Sequence, residues 1–298
     1  MTRSTIFLSL SGSYWPHAAV AVSTLLDHNA DCDVHVFSDT RGDRWIPRLT
    51  RKARSKSSSV TFHHFDSSLA SGLKECGHLG LSTYYRLFVP ELFVHDVDRL
   101  LYIDADMVVR GSIDELYRHD LGGHVLGAVP GFSRTSNLSH ALRLAHGVDS
   151  PYFNAGLLLI DTRRWCDSAI KEQCLAFLRD HPERVWYADQ DLLNYCLAGR
   201  YQYLSCGWNV MVDHFRADDP ADLDELSPEE LDAARIDPRI LHFNGQYKPW
   251  HLTYSHPFKS SYLSARRQLQ RTPYISDDFP WAVGAKVLSR LSRLIKPA

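Results

Sequence analysis

The sequence predicts an α/β fold around one mixed, mostly parallel sheet: a single Rossmann-like domain with a basic helical tail. Three observations lead there. Short apolar runs alternate with helical stretches along most of the chain. A length of 298 residues at 44% hydrophobic content is enough to bury one large core. No internal repeat, and no cysteine spacing of the metal-binding kind, argues for another architecture.

Each element follows from its local pattern. Strands are expected at Thr5–Leu10, Asp33–Phe37, Val60–Phe65, Arg99–Ile103, Val125–Val129, Gly156–Ile160, Tyr201–Leu204 and Ile240–Phe243, where apolar residues cluster in short runs. Helices are expected at Ala18–Asp27, Arg44–Lys56, Thr83–Leu92, Ser139–Ala145, Cys166–Asp180 and Asp191–Ala198, with a shorter one at Pro228–Ala234 inside the polar, acidic stretch Ala217–Asp237. The Ser-rich Ser55–Ser59 reads as a surface loop. A break near Ser255–Ser261 divides the chain into a body, 1–255, and an extension, 256–298. Cys32, Cys76, Cys166, Cys174, Cys196 and Cys206 form no C-x-x-C pair and read as free, mostly buried thiols. Ser11-Gly12-Ser13 and Pro16-His17 interrupt the apolar N-terminus, so it is expected to be strand, turn and helix, and the protein cytoplasmic without a membrane span.

The net charge of −2 argues against a general nucleic-acid binder. Its distribution is uneven. From Lys259 onward eight Lys/Arg face two Asp, a charge of +6, which leaves −8 on the rest. Within this tail Val287, Leu288, Leu291, Leu294 and Ile295 share one helical face, flanked by Lys286, Arg290, Arg293 and Lys296, with Phe279 and Trp281 ahead of them. That pattern fits a helix lying on an anionic membrane surface.

The chemistry concentrates at Asp104-Ala105-Asp106, which ends the apolar run Leu100–Ile103. In an extended segment residues i and i+2 face one side, so both carboxylates would share one small volume. Two such charges need a proton or a cation, and hard oxygen ligands suit magnesium or manganese. Sheets of this kind bind ligands beyond the carboxyl ends of their strands, where Tyr14, Asp104, Asp106 and the segment after Phe243 all fall. His242 closes a strand there and would tilt the preference toward manganese. Gly245 permits close backbone approach to a ligand, and Lys248 supplies a point charge suited to phosphate.

These residues carry a family resemblance. The chain resembles the family 8 glycosyltransferases, retaining galactosyl- and glucosyltransferases that include bacterial lipopolysaccharide enzymes and, more distantly, glycogenin. The resemblance spans about residues 5–253. It rests on Ser82–Arg86, Leu100–Arg110, Tyr152-Phe153-Asn154-Ala155-Gly156, Ala188–Asn194 and His242-x-x-Gly245-x-x-Lys248-Pro249-Trp250. It implies a GT-A fold and a UDP-hexose donor whose diphosphate is bridged by Mn2+, with Mg2+ as the second choice. It also implies Asp104, Asp106 and His242 as metal ligands, and Gly245 and Lys248 as holders of the diphosphate. Arg86, Asp104, Ala155, Asn154, Asp189 and Gln190 would contact the donor sugar, and Tyr14 matches an aromatic that stacks on uracil. The loop Ser11-Gly12-Ser13-Tyr14 departs from the family by lacking the acidic and Asn residues that often bind uridine.

Asp189 and Gln190 are the candidates for the reacting face. Gln190 is a poor nucleophile, which favours front-side attack over a covalent intermediate. Simpler roles compete: Asp189 suits a helix N-cap, Arg86 a surface salt bridge, and Trp15, Trp186, Trp208 and Trp250 either core packing or an acceptor-sugar platform. The expected activity is metal-dependent, retaining transfer of galactose or glucose from a UDP-sugar to a lipopolysaccharide or other cell-surface glycan. Two alternatives are a protein- or self-glucosylating glycogenin-like enzyme and a non-catalytic nucleotide-sugar binder.

Overall fold

A computed structural model of the chain describes residues 3–77, 79–131, 151–216 and 226–269. The large sheet has seven strands: β1 (Ser4–Leu10), β2 (Cys32–Ser38), β3 (Ser59–His64), β4 (Arg99–Ile103), β6 (Leu126–Pro130), β7 (Phe153–Asp161) and β8 (Gln202–Tyr203), ordered β3-β2-β1-β4-β7-β6-β8. All neighbours are parallel except β7, which runs antiparallel to both β4 and β6. A second sheet places β5 (Met107–Val109), β10 (Ile240–His242) and β9 (Val210–Met211) side by side. The mixed, mostly parallel sheet is the one the sequence predicts. The expected strands agree within a few residues, whereas β5 and β9 are too short to have a readable period.

Alternation along the central strands builds two cores, since successive side chains leave opposite faces. Ile6, Leu8, Leu101, Ile103, Leu157 and Leu159 meet helices α1 (Trp15–His28) and α2 (Ile46–Arg54) on one face. Phe7, Leu100, Tyr102, Leu158 and Ile160 face the other side. There they meet Trp165 of α5 (Thr162–Asp167), Ile170 and Phe177 of α6 (Ile170–Asp180), and Leu192 and Leu193 of α7 (Asp189–Cys196). Each side chain buried this way contributes roughly 1.5–3 kcal/mol.

Two expected helices break. Thr83–Leu92 divides into a 3-10 turn, the single α-turn α3 (Tyr85–Phe88) and a second 3-10 turn that contains Pro90, which lacks an N–H to donate. Cys166–Asp180 breaks at Ala169, whose φ of +48° no regular helix accommodates. The short helix α4 (Asp114–Tyr117) follows β5, and the acidic stretch carries α8 (Pro228–Ile236), capped by Ser227. Helix α9 (Lys259–Leu269) buries Tyr262, Ala265 and Arg266 and packs alongside α1. All six cysteines are free, and five are buried. The helix expected at Ser139–Ala145, and the amphipathic segment Lys286–Lys296 with Phe279 and Trp281, lie outside the described residues. Among those residues no helix is long and apolar enough to cross a membrane.

Candidate active site

Strand pairing assembles the site. Ile103, the last residue of β4, pairs with Leu157, and the Asp104 N–H then donates to the Gly156 carbonyl at 2.8 Å. Met107, the first residue of β5, pairs with His242, and the Phe243 N–H donates to the Asp106 carbonyl at 3.2 Å. Asp104-Ala105-Asp106 is therefore the turn by which the chain leaves one sheet and enters the other, not a continuation of the strand. The carboxylates converge because the two sheets meet there.

Ligand atoms of Asp104, Asp106 and His242 lie within 4.8 Å of one another. His242 Nε2 is 3.3 Å from Asp106 and 3.6 Å from Asp104. Asp106 and His242 are buried, while Asp104 remains partly open. Burial would raise the Asp106 carboxyl, but Lys248 and then His242 hold it below the usual carboxylate range. Lys248 is itself buried and donates to Asp106 Oδ2 at 2.5 Å and to the Phe243 carbonyl at 2.9 Å. Burial works against its charge, yet Asp106 keeps its ammonium above the ordinary lysine range. Two hard carboxylates and an imidazole are a donor set that a divalent cation fits.

Arg86 is not on the surface. It is 5% exposed and lies over the Tyr102 ring at 4.3 Å. Its guanidinium donates to Asp104 Oδ1 at 3.0 Å, to the Ala155 carbonyl at 2.5 Å and, through Nε, to the Thr83 carbonyl. Asp189 Oδ2 is 3.0 Å from that Nε, but the proton points to Thr83. This buried oxygen consequently receives no hydrogen bond among the described residues. Burial lifts the Asp189 carboxyl to about 6, against the pull of Arg86.

Asp189 does not cap α7. The cap position belongs to Ala188, at φ +51° and ψ −129°, and Asp189 occupies the first helical turn. Asp191 satisfies the entry instead: its carboxylate accepts from the Trp186 and Tyr187 amides at 2.6 and 2.7 Å and from the Tyr152 hydroxyl at 2.5 Å. Strain of the Ala188 kind costs of order 1–3 kcal/mol and persists only where the surroundings over-determine it.

A bulge in the pairing of β6 with β7 shifts the register between Ala128 and Val129. The Ala155 amide donates instead to Gln190 Oε1 at 3.1 Å, and the Gly156 amide to Asn154 Oδ1 at 2.9 Å. Asn154 Nδ2 donates to the same Gln190 oxygen at 2.9 Å, and Asn194 clamps α7 to the Phe153 backbone.

The remaining expected residues fall at the rim or in the core. Tyr14 is half-buried, edge-on to Trp250 at 6.0 Å. Burial raises its hydroxyl pKa, with Lys248 opposing. Gly245 is exposed at φ +79° with open space where a side chain would stand, so here glycine meets a backbone need and not a steric one. Trp15, Trp208 and Trp250 are core residues, while Trp186 is 51% exposed beside Asp189. Two participants were not foreseen from the sequence. Tyr102 donates to Asp104 Oδ1 at 2.5 Å. Asn209, wholly buried, bonds both His242 and Asn154. A lone amide within Trp208–Met211 was the only sequence signal for it.

A turn of two aspartates joined by a strand-terminal histidine, at the carboxyl ends of a mixed sheet, defines the class of site that can hold a divalent cation. The chain belongs to glycosyl transferase family 8, whose model matches residues 5–253. Glycosyltransferase GlyF of Streptococcus pneumoniae is 28% identical over 85% of this chain and 58% of its own length, so the chain spans little more than half of that relative. The lipopolysaccharide 1,2-glucosyltransferase of Escherichia coli K12 is 24% identical over 91% of this chain and 78% of its own. The crystal structure of galactosyltransferase LgtC, in complex with donor and acceptor sugar analogues, superposes with a TM-score of 0.76 at 23% identity, covering 90% of this chain and 97% of that one. That likeness establishes the GT-A fold.

Proposed function

We propose that this glycosyltransferase transfers a hexose, galactose or glucose, from a UDP-sugar to a lipopolysaccharide or other lipid-linked cell-surface glycan, with retention of configuration. The carrying observation is the convergence of Asp104, Asp106 and His242, tied through Arg86 to the buried Asp189, whose Oδ2 is ion-paired with that arginine but accepts no hydrogen bond among the described residues. The three would hold Mn2+, or Mg2+ as the second choice. When bound there, the cation neutralises charge on the departing diphosphate.

The chain's own residues supply the rest. Gly245 and Lys248 receive the diphosphate, and Tyr14 stacks on the uracil. Asp189 Oδ2, charge-compensated by Arg86 but accepting no hydrogen bond among the described residues, is an acceptor that a sugar hydroxyl would satisfy. Arg86, Asp104, Asn154 and Ala155 line the same face. The Gln190 carbonyl oxygen already takes two hydrogen bonds and is a poor nucleophile, which supports front-side attack. In that route the bond from the anomeric carbon to the diphosphate breaks, the acceptor oxygen bonds from the same face, and the diphosphate oxygen takes the acceptor's proton. Exposed Trp186 offers a stacking surface for the acceptor sugar. The basic tail would hold the enzyme at an anionic membrane surface on the cytoplasmic side.

The test is UDP release from a panel of UDP-sugars with Mn2+, Mg2+ or EDTA, comparing wild type with Asp106→Asn. Metal-dependent turnover of one donor, lost in the variant, is expected. Turnover that EDTA leaves intact would refute the metal role, and no turnover of any donor would refute the activity.

A further inference from the structure

We infer that Asn209 is a positioning residue that fixes the tautomer of His242 and ties the cation site to the sugar-facing amides. This rests on reading Asp104, Asp106 and His242 as a divalent-cation site. The assignment follows from two backbone donors. An amide N–H can only donate, so the Ala155 N–H identifies the Gln190 atom it meets as Oε1, and the Gly156 N–H identifies the Asn154 atom it meets as Oδ1. Asn154 therefore turns Nδ2 toward Gln190, at 2.9 Å, and Oδ1 toward Asn209. An acceptor needs a donor opposite, so the Asn209 atom 3.0 Å from it is Nδ2. Asn209 then presents Oδ1 to His242 Nδ1, also at 3.0 Å. That contact requires a proton on Nδ1, which leaves Nε2, the nitrogen facing Asp104 and Asp106, as the one that would meet a cation.

The chain Gln190–Asn154–Asn209–His242 is thus oriented throughout by amides of β7. Asn209 is 0% exposed, Asn154 6% and His242 4%, so the links among these three are shielded from water. An imidazole nitrogen facing two carboxylates is the arrangement that a cation completes. Outer partners of ligating histidines commonly control metal affinity by about 10–100-fold.

The wild-type tautomer is read directly from two-bond 15N–1H correlations of histidine-labelled, metal-free protein at pH 8, with His242→Gln identifying the signal. A proton on Nδ1 is expected, and a ring protonated on Nε2 alone overturns the inference. Mn2+ titration without donor, followed by the electron paramagnetic signal of free Mn2+, then tests the consequence. Asn209→Leu, near in size but with no acceptor, is expected to weaken Mn2+ at least about 10-fold. Asn209→Asp keeps an acceptor for Nδ1–H and is expected to stay within about 3-fold of wild type. It sets oxygen against Asn154 Oδ1, so the donor KM is expected to rise. Wild-type affinity in a folded Asn209→Leu, or a 10-fold loss in Asn209→Asp, would overturn the positioning role alone. If Asn209→Leu does not fold, Asn209→Asp and the tautomer decide. A wild-type chain that takes up no Mn2+ overturns the cation site together with this inference.

Discussion

A methyl group on Gly156 would lie 2.4 Å from Cε1 of His242, closer than any real Cβ contact. It would also stand 2.8 Å from Asp104 Oδ2 and from Asn154 Oδ1. The glycine is the space that lets the histidine approach the aspartates. Gly156→Ala is expected to cost about 1–3 kcal/mol through overpacking, while displacing His242 weakens Mn2+ binding at least about 10-fold. Equilibrium denaturation and metal titration of the same sample check both numbers, and unchanged metal affinity would refute the steric account.

Arg86 holds Asp104 and Asp189 together from a buried position. Arg86→Met is expected to destabilise by about 3–5 kcal/mol, because it leaves buried carboxylates uncompensated. Adding Asp189→Asn should recover about 1–2 kcal/mol, since the two changes share a partner. A double variant no more stable than Arg86→Met would show that the pairing energy lies elsewhere.

His17 is stacked on Trp250 at 3.4 Å and accepts or donates through Nδ1 at Tyr262. Burial, helped by the Arg266 guanidinium, lowers its pKa to about 3. The unfolded chain takes up this proton near pH 6.5 and the folded chain does not, so the stability is complete above pH 6.5 and is lost as pH falls toward 3. His17→Phe keeps the stacking and removes the titration. From pH 6.5 to 4.5 the wild type should lose about 2 kcal/mol more than the variant, measured by guanidinium unfolding at each pH. Parallel curves would exclude His17 as the source.

Trp186→Ala removes an aromatic that is 51% exposed, so stability should change by less than about 0.5 kcal/mol. The acceptor KM should rise about 10-fold while donor hydrolysis stays unchanged. A changed hydrolysis rate would place Trp186 on the donor side.

The sheet was readable because its central strands are continuous apolar runs, and the aspartate pair because it breaks such a run. The local geometry was less so. Asp104 and Asp106 converge through a turn between two sheets, and the second sheet consists of strands of two or three residues that carry no period of their own. Arg86 looked like a surface residue because its helix is a single turn and its partners, Ala155 and Asp189, lie 69 and 103 positions away. Asp189 looked like a cap because capping preferences are local, whereas the left-handed φ at Ala188 is imposed by contacts that Asp191 makes outside the helix. Asn209 bonds residues on two distant strands, Asn154 on β7 and His242 on β10, which no spacing rule connects.

The register that sets His242 against Met107 also sets the order in which the site is made. Synthesis delivers four of the seven strands of the large sheet and both aspartates first, and His242 only 136 residues after Asp106. Closing so long a loop costs entropy that only the finished second sheet repays. A nascent chain on the ribosome can thus acquire much of its folded body while the two carboxylates still lack their imidazole, and the three-residue cluster is completed as a late event of biosynthesis.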